Sequence, residues 1–171
     1  AQAPQAGALL HAGKSMSFAE LVDDSLDLAS QLKRHPGPII EAGSSLHLAR
    51  HAYACSFQNR PFFPVDRGNT LPAIQQPLTD VALIIATSGS EGKPRAVLLG
   101  NEQLDAAAAN SNTFLPLSPG DLWLNCLPLY HIGGQSILWR CVRAGATVLL
   151  ADGFTAFLLA TALAAQPVTH I

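Results

Sequence analysis

The segment Thr87-Ser88-Gly89-Ser90-Glu91-Gly92-Lys93-Pro94-Arg95 gathers hydroxyls, glycines and two cations between two apolar runs, Val81–Ala86 and Ala96–Leu99. Both runs are short and aliphatic, the pattern of buried strands, so the loop between them is held at two rigid ends. Glycines let successive backbone N–H groups turn toward one point, and such a nest attracts phosphate oxygens. Thr87, Ser88 and Ser90 add hydroxyl donors, and Lys93 and Arg95 add positive charge. The segment reads as a loop that grips a triphosphate. It is not a P-loop of the Walker type. Only Ser90 and Glu91 separate Gly89 from Gly92, Pro94 stands where a hydroxyl is required, and a strand rather than a helix follows. On composition alone, a Gly/Ser hairpin loop that holds nothing accounts for the same residues.

A second constellation is Leu127-Pro128-Leu129-Tyr130-His131-Ile132-Gly133-Gly134. It lies between a strand pattern and a helix pattern, the position where ligands settle in open α/β sheets, and its glycines allow close approach of backbone or ligand. The bland reading of His131 is a helix cap. His47 and His51 are four apart on a predicted helix, but two helical imidazoles without a third ligand are a weak metal signal, so no metal is assigned. His11, His35 and His170 show no ligand spacing. Trp123 and Trp139 read as core residues.

Elements to position these groups follow from periodicity and punctuation. Ser17-Phe18-Ala19-Glu20 is a capping box that opens a helix running to about Leu32, with Pro36-Gly37-Pro38 closing it. Ile39-Ile40 is a short strand, Ser44 or Ser45 caps a second helix, and Phe62–Val65 is a strand. Residues 67–79 form a linker into the phosphate hairpin. Asn101 caps a helix to about Phe114, and Leu122–Cys126 is a strand. A helix follows the His131 turn, then strand Thr147–Ala151, helix Phe154–Ala165 and a final strand from Val168. Strands alternating with helices predict an α/β fold, a largely parallel sheet with helices on both faces. Residues 1–15, rich in Ala, Gln, Gly and Pro, are expected to be loosely held, and residues 16–171 to form the folded part.

The first segment resembles the phosphate-loop signature of the AMP-forming acyl-CoA synthetase and ligase superfamily, Thr-Ser-Gly-Ser/Thr-Thr-Gly-Lys-Pro-Lys-Gly. The second resembles that family's proline-aromatic-histidine motif. The two stand in the family's order. Gly145-Ala146-Thr147-Val148-Leu149-Leu150, Met16–Leu21 and Pro64-Val65-Asp66 are similar to further family segments, so the resemblance spans nearly the whole chain. It implies the N-terminal part of the adenylate-forming ligase fold, with ATP, magnesium and CoA used by the full-length enzyme and a small-molecule carboxylic acid as substrate. By resemblance, Thr87, Ser88, Gly89, Ser90, Glu91, Gly92 and Lys93 hold the ATP phosphates, and His131, Gly133 and Gly134 line the acyl pocket. Three positions depart from the pattern: Glu91 for threonine, Arg95 for lysine and Ala96 for glycine. Glu91 either faces solvent or weakens nucleotide binding by like-charge repulsion.

The family's adenine and magnesium motif, its ribose aspartate and its C-terminal lysine have no counterpart among these 171 residues. The chain alone is therefore expected to make no acyl-adenylate, with no carboxylate-dependent pyrophosphate release. Two other functions fit the same sequence: a non-catalytic interaction piece or split-ligase subunit, and an adenylating enzyme that loads a carrier protein.

Composition narrows the partners. The chain is 49% hydrophobic with a mean hydropathy of +0.24, and its charged share of 13% is about half the usual value. Such a surface is expected to self-associate or to dock on a complementary portion. A net charge of −2, with no basic cluster, gives no support for nucleic-acid binding. No apolar run reaches the roughly 18 residues of a membrane span. Cys55, Cys126 and Cys141 lie far apart, which suits neutral thiols in a reducing cytoplasm.

Overall fold

The computed structural model describes residues 3–32, 37–88 and 94–171. Gly7–His11 (β1) and Lys14–Ser17 (β2) pair antiparallel around a turn at Ala12 and Gly13, both at positive φ. Residues 7–11, 14 and 15, within the stretch expected to be loosely held, thus lie in paired strands. β1 pairs in parallel with Thr147–Leu150 (β8), burying Ala8 and Leu9. A partner some 140 residues away leaves no trace in local composition.

Helix α1 (Phe18–Leu32) starts at the capping box. The Ser17 N–H donates to the Glu20 carboxylate at 2.8 Å, and the Glu20 N–H donates to Ser17 Oγ at 3.2 Å. Strand β3 (Ile39–Glu41) leads into α2 (Ser45–Phe57), where Ser44 Oγ accepts from the His47 N–H. Then come β4 (Phe62–Pro64), β5 (Val81–Thr87), β6 (Arg95–Gly100) and α3 (Asn101–Phe114). The N-cap of α3 is Gly100, one residue before the expected Asn101, and its N–H donates to the Gln103 Oε1. A Cβ on Gly100 would lie 2.7 Å from the Asp80 carbonyl oxygen, so only glycine fits there. The chain continues with β7 (Leu122–Asn125), α4 (Ile132–Ala144), β8 and α5 (Ala156–Ala165).

The α/β class with mostly parallel pairing is what the sequence implies. Its division is not: the strands form two sheets, ordered β2-β1-β8-β7 and β3-β4-β5-β6. β1/β8, β7/β8, β3/β4 and β4/β5 are parallel, and the hairpins β1/β2 and β5/β6 are antiparallel. Helices α1 and α4 pack on the first sheet and α2 and α3 on the second, with α1 against α2 and α3 against α4. One continuous core joins all of these layers. Arg50 of α2 binds the Asp24 carboxylate of α1 through Nε at 2.7 Å, a bidentate pair that fixes the helix crossing.

The outer faces are covered differently. Phe63, Val81 and Ile84 point away from the helices and meet Ile74 and Leu78 of the 65–80 connection. Outside the first sheet, α5 buries none of its residues, and a cavity of about 460 Å³ separates it from Leu124, Leu149 and Ala151. The expected final strand is represented by one parallel bridge, Trp123 to His170, beside β7. Among the described residues, no helix is long and apolar enough to cross a membrane.

Candidate functional site

Strands β3, β4 and β5 run parallel, so Glu41, Pro64 and Thr87 all lie at carboxyl ends on one edge of the second sheet. The hairpin register ends on the pair Thr87–Arg95. Thr87 and Ser88 are exposed there, and Thr87 Oγ1 sits 3.4 Å from the Arg95 carbonyl oxygen. Gly89, Ser90, Glu91, Gly92 and Lys93, assigned to the same loop from the sequence, lie outside the described residues.

His131 is the backbone N-cap of α4 and its ring is exposed, edge-on to Tyr130 at 4.6 Å. Its side chain caps nothing. The turn is set by backbone: the His131 N–H donates to the Pro128 carbonyl at 3.1 Å and the Gln135 N–H to the His131 carbonyl at 3.2 Å. Gly134 is buried where the helix start crosses the preceding chain. A Cβ on it would lie 2.6 Å from the Pro128 oxygen and 2.9 Å from the Leu127 oxygen. Gly133 is less constrained, with only Leu127 Cδ1 at 3.1 Å.

Two buried amides missed in the sequence brace this turn. Asn125, at the end of β7, donates from Nδ2 to the Gly134 carbonyl at 2.9 Å and accepts the Leu127 N–H at 3.3 Å. Gln135 donates from Nε2 to the Leu129 carbonyl at 2.6 Å. The available signal was a polar residue ending Leu-Trp-Leu-Asn and an amide on the apolar face of α4. The His131 turn follows β7 in the first sheet, and Thr87 and Ser88 stand at the end of β5 in the second. No hydrogen bond joins His131 to Thr87 or Ser88 among the described residues.

Other groups near the carboxyl edges carry perturbed chemistry. Asp152 accepts the Ser45 N–H, at the first turn of α2, at 2.7 Å and lies 3.1 Å from His11 Nε2. Burial acts to raise its carboxyl, but Ser45 and His11 outweigh it and hold the pKa below the ordinary value. Burial pushes the thiols of Cys55 and Cys141 up to about 12, so both are neutral. All three cysteines are unpaired, with Cys126 half-buried. His47 and His51, left without a third ligand in the sequence, meet Glu41.

The profile of the AMP-binding enzyme family matches residues 39–171. The chain belongs to that family. Among curated proteins, 2-succinylbenzoate–CoA ligases of Bacillus mycoides (strain KBAB4) and Bacillus cereus (strain Q1) are each 37% identical over 94 residues. The matched stretch covers 55% of this chain and 20% of each relative, so it spans a fifth of their length. Among solved structures, O-succinylbenzoate coenzyme A synthetase (MenE) from Bacillus subtilis, in complex with ATP and magnesium ion, superposes with a TM-score of 0.77. It is 22% identical, over 98% of this chain and 60% of that one. ATP-bound MatB from Rhodopseudomonas palustris gives 0.81 at 16% identity, over 95% and 45% of the two chains. At these identities the superpositions establish the fold, that of the N-terminal domain of adenylate-forming ligases.

Proposed function

We propose that this chain is the N-terminal part of an AMP-forming carboxylic acid:CoA ligase, with Thr87–Lys93 as its triphosphate grip. The observation that supports the reading is the Thr87–Arg95 pair at the carboxyl end of β5, in a chain of the AMP-binding enzyme family. In the proposed reaction a carboxylate oxygen attacks the α-phosphorus of ATP. The acyl–O–P bond forms, the bond from the α-phosphorus to the bridging oxygen breaks, and pyrophosphate leaves with the electron pair. A CoA thiolate then attacks the acyl carbon and expels AMP.

Negative charge grows on the departing pyrophosphate in the first step. Thr87 Oγ1, Ser88 Oγ, Ser90 Oγ, the loop N–H groups and Lys93 are suited to stabilise it, since preorganised donors act most where charge develops. His131, Gly133 and Gly134 are assigned to the acyl side, with Asn125 and Gln135 as positioning residues that keep the turn in register. Magnesium would accompany ATP as a substrate complex, and no oxygen-ligand set for it stands out among the described residues. The names of the curated relatives favour CoA over a carrier protein as acceptor.

The test is carboxylate-dependent ATP–pyrophosphate exchange in the complete enzyme that carries this segment, with 2-succinylbenzoate first in a panel of acids. Exchange with at least one acid, followed by thioester formation with CoA, is the expected result. Absence of exchange with every acid would sink the proposal. The split-subunit reading draws on one observation of its own: α5 is apolar yet buries nothing, leaving Phe157 78% exposed.

A further inference from the structure

We propose that Glu41, His47 and His51 form a binding site for a divalent transition-metal ion of the zinc class, with two imidazoles and one carboxylate as ligands and a fourth position open to solvent. Glu41 ends β3, His47 lies in the first turn of α2 and His51 one turn further on. The ligand atoms all fall within 4.8 Å of one another. His47 Nε2 is 3.1 Å from Glu41 Oε2, and His51 Nε2 is 3.9 Å from Glu41 Oε1. Zinc with bonds of about 2.0–2.2 Å holds tetrahedral ligands roughly 3.3–3.6 Å apart, so the three ligand atoms, already within 4.8 Å of one another, have to draw slightly closer.

The tautomer of His51 supplies the strongest argument. Its Nδ1 lies 2.9 Å from the His47 carbonyl oxygen, which can only accept, so Nδ1 carries the proton. In the neutral ring, Nε2 then presents a lone pair toward a carboxylate oxygen. Two acceptors then face each other, an arrangement that a metal ion, a proton or a bridging water relieves. A histidine with its far nitrogen donating to a backbone carbonyl is also the usual arrangement of a metal ligand.

Neighbouring groups fix both rings in place. Phe62 lies nearly parallel to the His51 ring at 6.4 Å. Gly43 admits the His47 ring, whose Cδ2 would be 2.7 Å from a Cβ at that position. The side chains of His47 and Glu41 are 39% and 33% exposed, against 10% for His51, so the open side faces water. Imidazole nitrogens are wrong donors for magnesium, which takes oxygen, and right ones for zinc, cobalt or nickel. A bound ion would tie the end of β3 to the first two turns of α2, on the sheet edge where Thr87 ends β5.

The experiment titrates chelator-treated protein with Zn²⁺ by calorimetry and with Co²⁺ by visible absorption. One equivalent should bind. Affinity should fall at least about tenfold in both Glu41→Gln and His47→Gln, with circular dichroism verifying that each is folded. His11→Gln, outside the cluster, should bind as the parent does. Uptake that is not saturable at one equivalent, or that is unchanged in both folded variants, overturns the site. Should both variants fail to fold, the parent protein decides. A Co²⁺ band of low-symmetry type, with shifted resonances from the His47 and His51 rings, supports the site, and the absence of either rejects it.

Discussion

Substituting the two adjacent glycines of the His131 turn should give opposite results. A Cβ at position 134 would come within 2.6 Å of the Pro128 carbonyl oxygen and 2.9 Å of that of Leu127. Both obstacles are backbone, and the Pro128 oxygen already accepts the His131 N–H, so relief requires the turn itself to move. Overpacking of this kind costs about 1–3 kcal/mol, against at most about 1 kcal/mol gained by alanine over glycine in a helix. At position 133 the obstacle is Leu127 Cδ1 at 3.1 Å, the tip of a partly exposed side chain that can turn aside. Gly133→Ala should therefore be neutral or up to about 1 kcal/mol more stable, and Gly134→Ala up to about 2 kcal/mol less stable. The separation of about 1–3 kcal/mol corresponds to a melting difference of roughly 2–12 °C for a domain of this size. Urea denaturation followed by far-ultraviolet circular dichroism reads it as a shift in midpoint at constant slope. Equal midpoints, or a more stable Gly134→Ala, would refute the close-approach argument.

Lys93→Ala in the complete enzyme should slow adenylation by about one to two orders of magnitude, from the loss of a charge-assisted contact worth roughly 1.5–3 kcal/mol. Thioester formation from a pre-formed acyl-adenylate should barely change, and equal slowing of both half-reactions would assign Lys93 a structural role instead. Asp152→Asn should destabilise the chain by about 0.3–1 kcal/mol near neutral pH through loss of a carboxylate at the start of α2. Because the folded pKa of Asp152 is depressed, its contribution is fully present above about pH 4 and disappears as pH falls through the folded value; thermal melts should show the variant converging on the parent in acid. The apolar, unburied α5 should make the chain self-associate or bind a hydrophobic dye at micromolar concentration, and a dye-free monomer by sedimentation would contradict this.

Local features were legible because their causes are local. The Ser17–Glu20 box, the Ser44 cap and the paired apolar runs around Thr87–Arg95 each depend on residues within a few positions, and each element begins within about a residue of where its signal stands. The Gly/Ser/Lys segment after Thr87 and the His131 turn stand in the sequence as contiguous motifs. What the sequence withheld depends on contacts between distant segments. Whether strands join one sheet or two is decided by pairings such as Leu9 with Val148, which no periodicity encodes. Asn125 looks like any strand terminus until the fold brings the Gly134 carbonyl onto its amide. Glu41 is an unremarkable acid beside a Gly-Ser turn, and His47 and His51 are a helical pair short of a ligand. Only the reversal of the chain between β3 and α2 brings that carboxylate within 3.9 Å of both rings, because a turn fixes direction in space and spacing along a chain does not.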